Sequence, residues 1–201
     1  MSSNTSNAFN AAARLFSYFI LLLMIAAPVG ALAAQTAKTG EVRFTADNQD
    51  ERDAGVWIDG KYAGYVKELK GDRKVILPAG EHEFVIKQAG YQDLVKKITV
   101  DPDQSPFQTI AVVLEENPKM TYPGGNAAEC RLDIQPKRAA VFVDGNYMGH
   151  GGDFGGHFHS MLVTPGKHHL KITLDGYKTY ETDIDATASS KLQLKIVLEK
   201  E

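Results

Sequence analysis

Val56-Trp57-Ile58-Asp59-Gly60-Lys61-Tyr62-Ala63-Gly64 returns 85 positions later as Val141-Phe142-Val143-Asp144-Gly145-Asn146-Tyr147-Met148-Gly149. Two further blocks follow in each copy. Gly80-Glu81-His82-Glu83-Phe84-Val85-Ile86 matches Gly166-Lys167-His168-His169-Leu170-Lys171-Ile172, and Gly90-Tyr91 matches Gly176-Tyr177. A period longer than a solenoid repeat, with its internal spacing held, means two homologous small domains rather than a stacked array.

The copies place the domains at residues 40–116 and 129–201, joined by a linker at 117–128 whose two prolines and Gly124-Gly125 pair resist regular structure. Before them, Arg14 precedes an apolar run, Leu15 to Ala27, and Ala31-Leu32-Ala33 follows Pro28 and Gly30. That order predicts a secretory signal peptide over residues 1–34. The alternative is an uncleaved anchor, since Leu15 to Ala34 is long enough to span a bilayer. No other segment is apolar enough to cross a membrane, so none is expected in the mature chain, and the expected location is extracytoplasmic: periplasmic, cell-surface or secreted.

Setting Arg14 aside leaves 21 basic against 25 acidic residues in the mature chain. This balance argues against nucleic acid as a partner, which calls for a concentrated basic surface. Cys130 is the one cysteine of the chain, so no intrachain disulfide forms, and its alternation with Leu132 and Ile134 predicts a core position.

Within each copy the apolar period is two. The second copy reads as strands over Cys130 to Gln135, Ala140 to Val143, Asn146 to Met148, His157 to Val163, His168 to Leu174, Tyr180 to Ile184 and Leu192 to Leu198. The first supplies Val42 to Phe44, Arg73 to Leu77, Glu83 to Gln88 and Thr109 to Leu114. Short strands between Gly, Pro and Asp turns predict an all-β chain, two small antiparallel β-sandwich-like domains in tandem. Asp59-Gly60 and Asp144-Gly145 suit two-residue hairpin turns with positive φ at both positions.

The three blocks resemble the PEGA domain. The resemblance rests on hydrophobic-x-hydrophobic-Asp-Gly-x-x-x-Gly, then Pro-(Ala)-Gly-x-His, then Gly-Tyr, and it covers nearly all of the chain after residue 40. The tetrapeptide that gives the family its name stands as Pro78-Ala79-Gly80-Glu81 in one copy and Thr164-Pro165-Gly166-Lys167 in the other, so neither carries it intact. The resemblance implies a β-sandwich-like module of bacterial and archaeal envelope proteins that binds or scaffolds and has no catalytic residues. The chain departs from the family in an acidic insertion holding Asp47, Asp50, Glu51 and Asp53, and in a glycine-rich loop from Gly149 to His159.

Four side chains are the candidate ligand-binding residues. Across each turn Trp57 pairs with Tyr62, and Phe142 with Tyr147, placing aromatic rings opposite the aliphatic face of Val56 and Ile58, or Val141 and Val143. Three readings stay open for these rings: a platform for a glycan or protein, a staple for their own hairpin, or a surface covered by the other domain. His157 and His159, two apart on one strand face, with His150 or Asp153, raise the alternative of a metal-dependent hydrolase or metal-binding protein. Two fixed ligands do not close a site, so no metal and no cofactor is expected. The acidic insertion lacks the spacing of a calcium loop and is expected to be a solvated loop. His82 and His168 repeat, and each is expected to bond the turn before it. With no nucleophile elbow, phosphate loop or Cys-His arrangement, the expectation is a non-enzyme whose partner is an envelope protein or polysaccharide.

Overall fold

In the computed structural model, residues 38–105, 107–119, 123–156 and 159–201 are described, all within the unit Ala37–Glu201. Residues 1–34, and with them the expected signal peptide, lie outside the described residues, as do His157 and Phe158.

The first module runs β1 (Thr39–Ala46), α1 (Gln49–Asp53), β2 (Gly55–Ile58), β3 (Lys61–Tyr65), β4 (Val75–Pro78), β5 (Gly80–Lys87), β6 (Leu94–Val100) and β7 (Phe107–Val112). The second runs β8 (Ala128–Gln135), β9 (Ala140–Val143), β10 (Asn146–His150), β11 (Met161–Val163), β12 (Gly166–Thr173), β13 (Tyr180–Ala186) and β14 (Lys191–Val197). Sheets β4-β1-β7 and β3-β2-β5-β6 make one module, and β11-β8-β14 and β10-β9-β12-β13 the other, so the topology repeats strand for strand. The all-β tandem is thus established. One departure from a purely antiparallel sandwich recurs: β1 pairs parallel with β7, and β8 with β14. The first and last strands of each module enter one sheet from the same end, which only a parallel pair accommodates.

Alternation explains the cores. Val42, Val56, Phe84, Ile86, Ile110 and Val112 fill the first, and Cys130, Leu132, Ile134, Val141, Leu170 and Ile172 the second. Cys130 is buried and free, as its alternation predicts. The acidic insertion differs from the expected solvated loop. Asn48 caps α1 by accepting from the Glu51 backbone N–H at 2.9 Å, while Glu51 turns back to accept from the N–H groups of Asp47 and Asn48 at 2.7 and 3.3 Å. This capping box uses up the carboxylate and buries it. Asp50 accepts from the Tyr91 hydroxyl at 2.7 Å, so a second acid of the insertion also serves the fold.

The hairpin turns form as expected, with φ of 49° and 79° at Asp59 and Gly60 and of 51° and 80° at Asp144 and Gly145. Each turn aspartate is held by a histidine. His82 Nδ1 donates to Asp59 Oδ2 at 2.7 Å and Nε2 to the Pro78 carbonyl at 3.0 Å; His168 does the same with Asp144 and the Thr164 carbonyl, both at 2.7 Å. The other oxygen of each carboxylate accepts from the next backbone N–H, that of Glu83 or His169. The histidine therefore ties two reversals together: the proline turn before its own strand and the Asp-Gly hairpin beside it.

Both neighbours of each imidazole are acceptors, so both ring nitrogens donate and the ring is charged. The hydrogen bond to Asp59 or Asp144 raises the histidine pKa above its ordinary 6.5, and the same bond holds each aspartate below its ordinary 3.8. The raised histidines stabilise the fold fully below their unfolded value and lose that contribution as pH climbs through the folded one. The lowered aspartates act above their unfolded value and lose theirs as pH falls through the folded one. The latches therefore contribute most between pH 3.8 and 6.5. Denaturant unfolding across pH should show the parent losing stability above pH 6.5, and a His82→Gln/His168→Gln variant losing less over that range.

Candidate functional site: the aromatic seam between the modules

Register across the β2–β3 hairpin pairs Trp57 with Tyr62 and Ile58 with Lys61, and across β9–β10 pairs Phe142 with Tyr147. A bulge follows in each, at Gly64 and Gly149, both with positive φ. A Cβ would sit 2.2 Å from Glu68 Oε1 in the first module and 2.6 Å from Asp153 Oδ2 in the second, so those carboxylates would have to move, and φ of 141° and 148° disfavours any side chain. Glu68 and Asp153 are themselves counterparts, 85 positions apart.

The structure brings the four predicted aromatic residues together. Trp57 meets Tyr62 at 4.9 Å between centroids, Tyr147 edge-on at 5.1 Å and Phe142 at 5.9 Å, and Phe142 meets Tyr147 at 5.7 Å. Trp57, Tyr62 and Tyr147 keep 9%, 5% and 6% of their surface, and Phe142 is half-buried. Each hairpin face is covered by the other module, and Trp57 and Tyr62 pack with the core of the second module rather than that of the first. Gly55 permits the approach, since a Cβ there would lie 2.8 Å from the Tyr147 ring.

The contacts run between equivalent residues. Trp57 touches its counterpart Phe142, and Tyr65 lies 4.1 Å from its counterpart His150. The Tyr62 and Tyr147 hydroxyls face one another without the geometry of a full hydrogen bond, and burial pushes both phenols above the usual range. A seam in which residue i meets its own equivalent has the character of an isologous dimer interface, here joined in one chain. Charges close its edge: Arg138 donates to the Ala63 carbonyl at 3.0 Å and pairs with Glu68 at 3.3 Å, while Arg73 reaches the other Glu68 oxygen at 2.6 Å.

Of the histidine loop, His150 and His159 are among the described residues and His157 is not. His150 is buried against Tyr65, with Nε2 3.4 Å from Asp153 Oδ1, and its backbone N–H donates to Asp153 Oδ2 at 2.8 Å. Burial raises the Asp153 pKa. His159 is exposed, and among the described residues no three His, Cys, Asp or Glu side chains gather to hold an ion.

Beside the seam a cleft of about 540 Å³ opens, lined by Trp57, Lys61 and Tyr62 from the first module and by Phe142, Lys171 and Tyr177 from the second. Tyr147 lines a second, smaller cavity with Phe142, Lys87 and Asn146. Both modules thus contribute to one concave surface with an aromatic floor and charged side chains of both signs, Lys61 and Lys171 with Asp175 and Glu201, around it.

The sequence profile of the PEGA domain matches the chain twice, at residues 49–117 and 129–201. The chain belongs to the PEGA domain family. Comparison with curated proteins gives no match. Among solved structures, the chain is similar to one titled "The Bacillus anthracis TIE protein", at 12% identity and a TM-score of 0.28, over 82% of this chain and 34% of that one. The chain thus spans about a third of that protein's length, and at this level the likeness carries no argument about function. Both PEGA matches contain an Asp-Gly hairpin with its aromatic pair.

Burial sets the expected cost of truncation. Trp57→Ala should lower stability by about 3–5 kcal/mol, as for a core aromatic. Lys61→Ala on the same hairpin should change it by less than about 0.5 kcal/mol. Tyr62→Phe, which removes a buried hydroxyl facing that of Tyr147 without a full hydrogen bond, is expected to cost less than about 1 kcal/mol. Equilibrium denaturation of the three variants checks all three values.

Proposed function

We propose that this PEGA-domain protein is a non-catalytic binding or scaffolding module of the cell envelope, and that polysaccharide occupies the cleft beside the seam. The observation that carries this reading is the cleft itself, whose aromatic floor comes from both modules and exists only while they are docked. Sugar rings offer apolar C–H faces to aromatic side chains and hydroxyls to polar ones. Phe142 and Tyr177, both only partly buried, supply the first kind of surface over a base of Trp57 and Tyr62, and Lys61, Lys171 and Thr173 supply the second. Tyr147 acts here by holding Trp57 in place.

Membership of the PEGA family supports an extracytoplasmic location and a binding role without catalysis. No helix among the described residues is long and apolar enough to cross a membrane. An envelope protein is the other occupant the cleft admits, and a lining with Lys61 and Lys171 beside Asp175 and Glu201 offers polar groups of both signs.

Co-sedimentation with insoluble peptidoglycan sacculi tests the proposal. Lys61→Ala/Lys171→Ala removes two exposed side chains, one of them paired with Glu181 at the surface, so melting should change little while retention weakens by about tenfold, or about 1.4 kcal/mol. Retention equal to that of the parent protein would remove the cleft from the functional account.

A further inference from the structure

Each module has one sheet ending in the strand that pairs parallel to its first strand, β7 in one and β14 in the other, and the two edges differ in kind. The pairs Ala46↔Val112 and Ile134↔Ile196 set their correspondence, which places Val113 opposite Val197, exposed at 64% and 65%. On this alignment Phe107 and Ala111 of β7 stand where β14 carries Lys191 and Lys195. Lysine on an outer strand is a common guard against pairing with another sheet. The second module has that guard and the first lacks it.

The other outer strands are also protected. β6 carries Lys96 and Lys97, β13 carries Glu181, Asp183 and Asp185, β4 ends at Pro78, β11 is three residues long, and β3 and β10 are bulged at the seam. From Phe107 to Leu114 the chain has no charge, no proline and no glycine. Among the described residues no strand pairs with the outer side of β7.

We infer that β7 is a self-association edge, pairing antiparallel with β7 of a second copy of this chain about a two-fold axis at Ile110. Alternation decides the register. Ile110 and Val112 point into the core, and Phe107, Thr109, Ala111 and Val113 point out. Residues directly opposite in an antiparallel pair share a face, so centring on Ile110 sets Thr109 against Ala111 and Phe107 against Val113 of the second copy, each twice. Phe107 is 41% exposed and has the Arg43 guanidinium 3.8 Å over its ring. Pairing with Val113 gives each of these exposed apolar residues the aromatic–β-branched partner that stabilises sheets. The absence of charge means no like charges meet, and the result is a continuous six-stranded sheet, β4-β1-β7 joined to its copy. An isologous contact of this kind closes at two copies.

Sedimentation velocity of the exported protein over a range of concentrations tests the edge. A reversible monomer–dimer equilibrium is expected, and a protein that stays monomeric up to its solubility limit overturns the proposal. Val113→Lys should weaken association by about tenfold, through loss of two cross-strand pairs. Val197→Lys, the matched change in the second module, should leave association unaltered. Both positions are well exposed, so melting curves should match the parent's. Equal loss in the two variants, or loss in Val197→Lys alone, overturns the assignment to β7. A Thr109→Cys/Ala111→Cys variant should form a disulfide-linked dimer under mild oxidation, while Thr109→Cys alone should not, because residue 109 does not meet itself in this register. Cross-linking by the single variant instead overturns the register.

Discussion

The Trp57 ring, packed against Tyr62 on its own hairpin and against Phe142 and Tyr147 on the other module, is the contact on which the tandem depends. Each module has about seventy residues and no disulfide, a size at which a single core is marginal. Covering the second face of each hairpin with the other module buries the aromatic rings of both hairpins together and joins Trp57 and Tyr62 to the second module's core. The same rings that secure the modules also line the floor of the cleft.

The seam depends in turn on how each hairpin is aimed. Asp59 and Asp144 occupy left-handed turn positions, accept a neighbouring backbone N–H and receive a charged histidine from the start of the adjoining strand. Beyond the turn, the bulges at Gly64 and Gly149 make room for the Glu68 and Asp153 side chains. Duplication preserved this framework and allowed the contacts across it to diverge: Trp57 faces Phe142, and Tyr65 faces His150.

The hairpin register was legible in the sequence because Asp-Gly admits one kind of two-residue turn, and that turn fixes every pair beyond it. The fate of the aromatic face was not, since alternation identifies two faces of a strand but not what covers the second. The histidine latch was half legible: Pro78 and His82 are close in sequence, whereas the bond to Asp59 spans two strands, and only the recurrence of Asp59 with His82 as Asp144 with His168 signalled it. Asn48 and Glu51 form a recognisable capping box that the density of neighbouring acids obscured. Glu68 and Asp153, like Tyr65 and His150, stand at the same spacing as the repeated blocks, but the changed side chains hid their equivalence.

A double-mutant cycle across the seam, using Trp57→Ala, Tyr147→Ala and the two together, measures the central contact directly. Unfolding free energies should show non-additivity of about 0.5–3 kcal/mol, because each ring loses part of its packing when the other is removed. Losses that add to within about 0.3–0.5 kcal/mol would mean that the modules do not support each other through these rings, and would contradict the account.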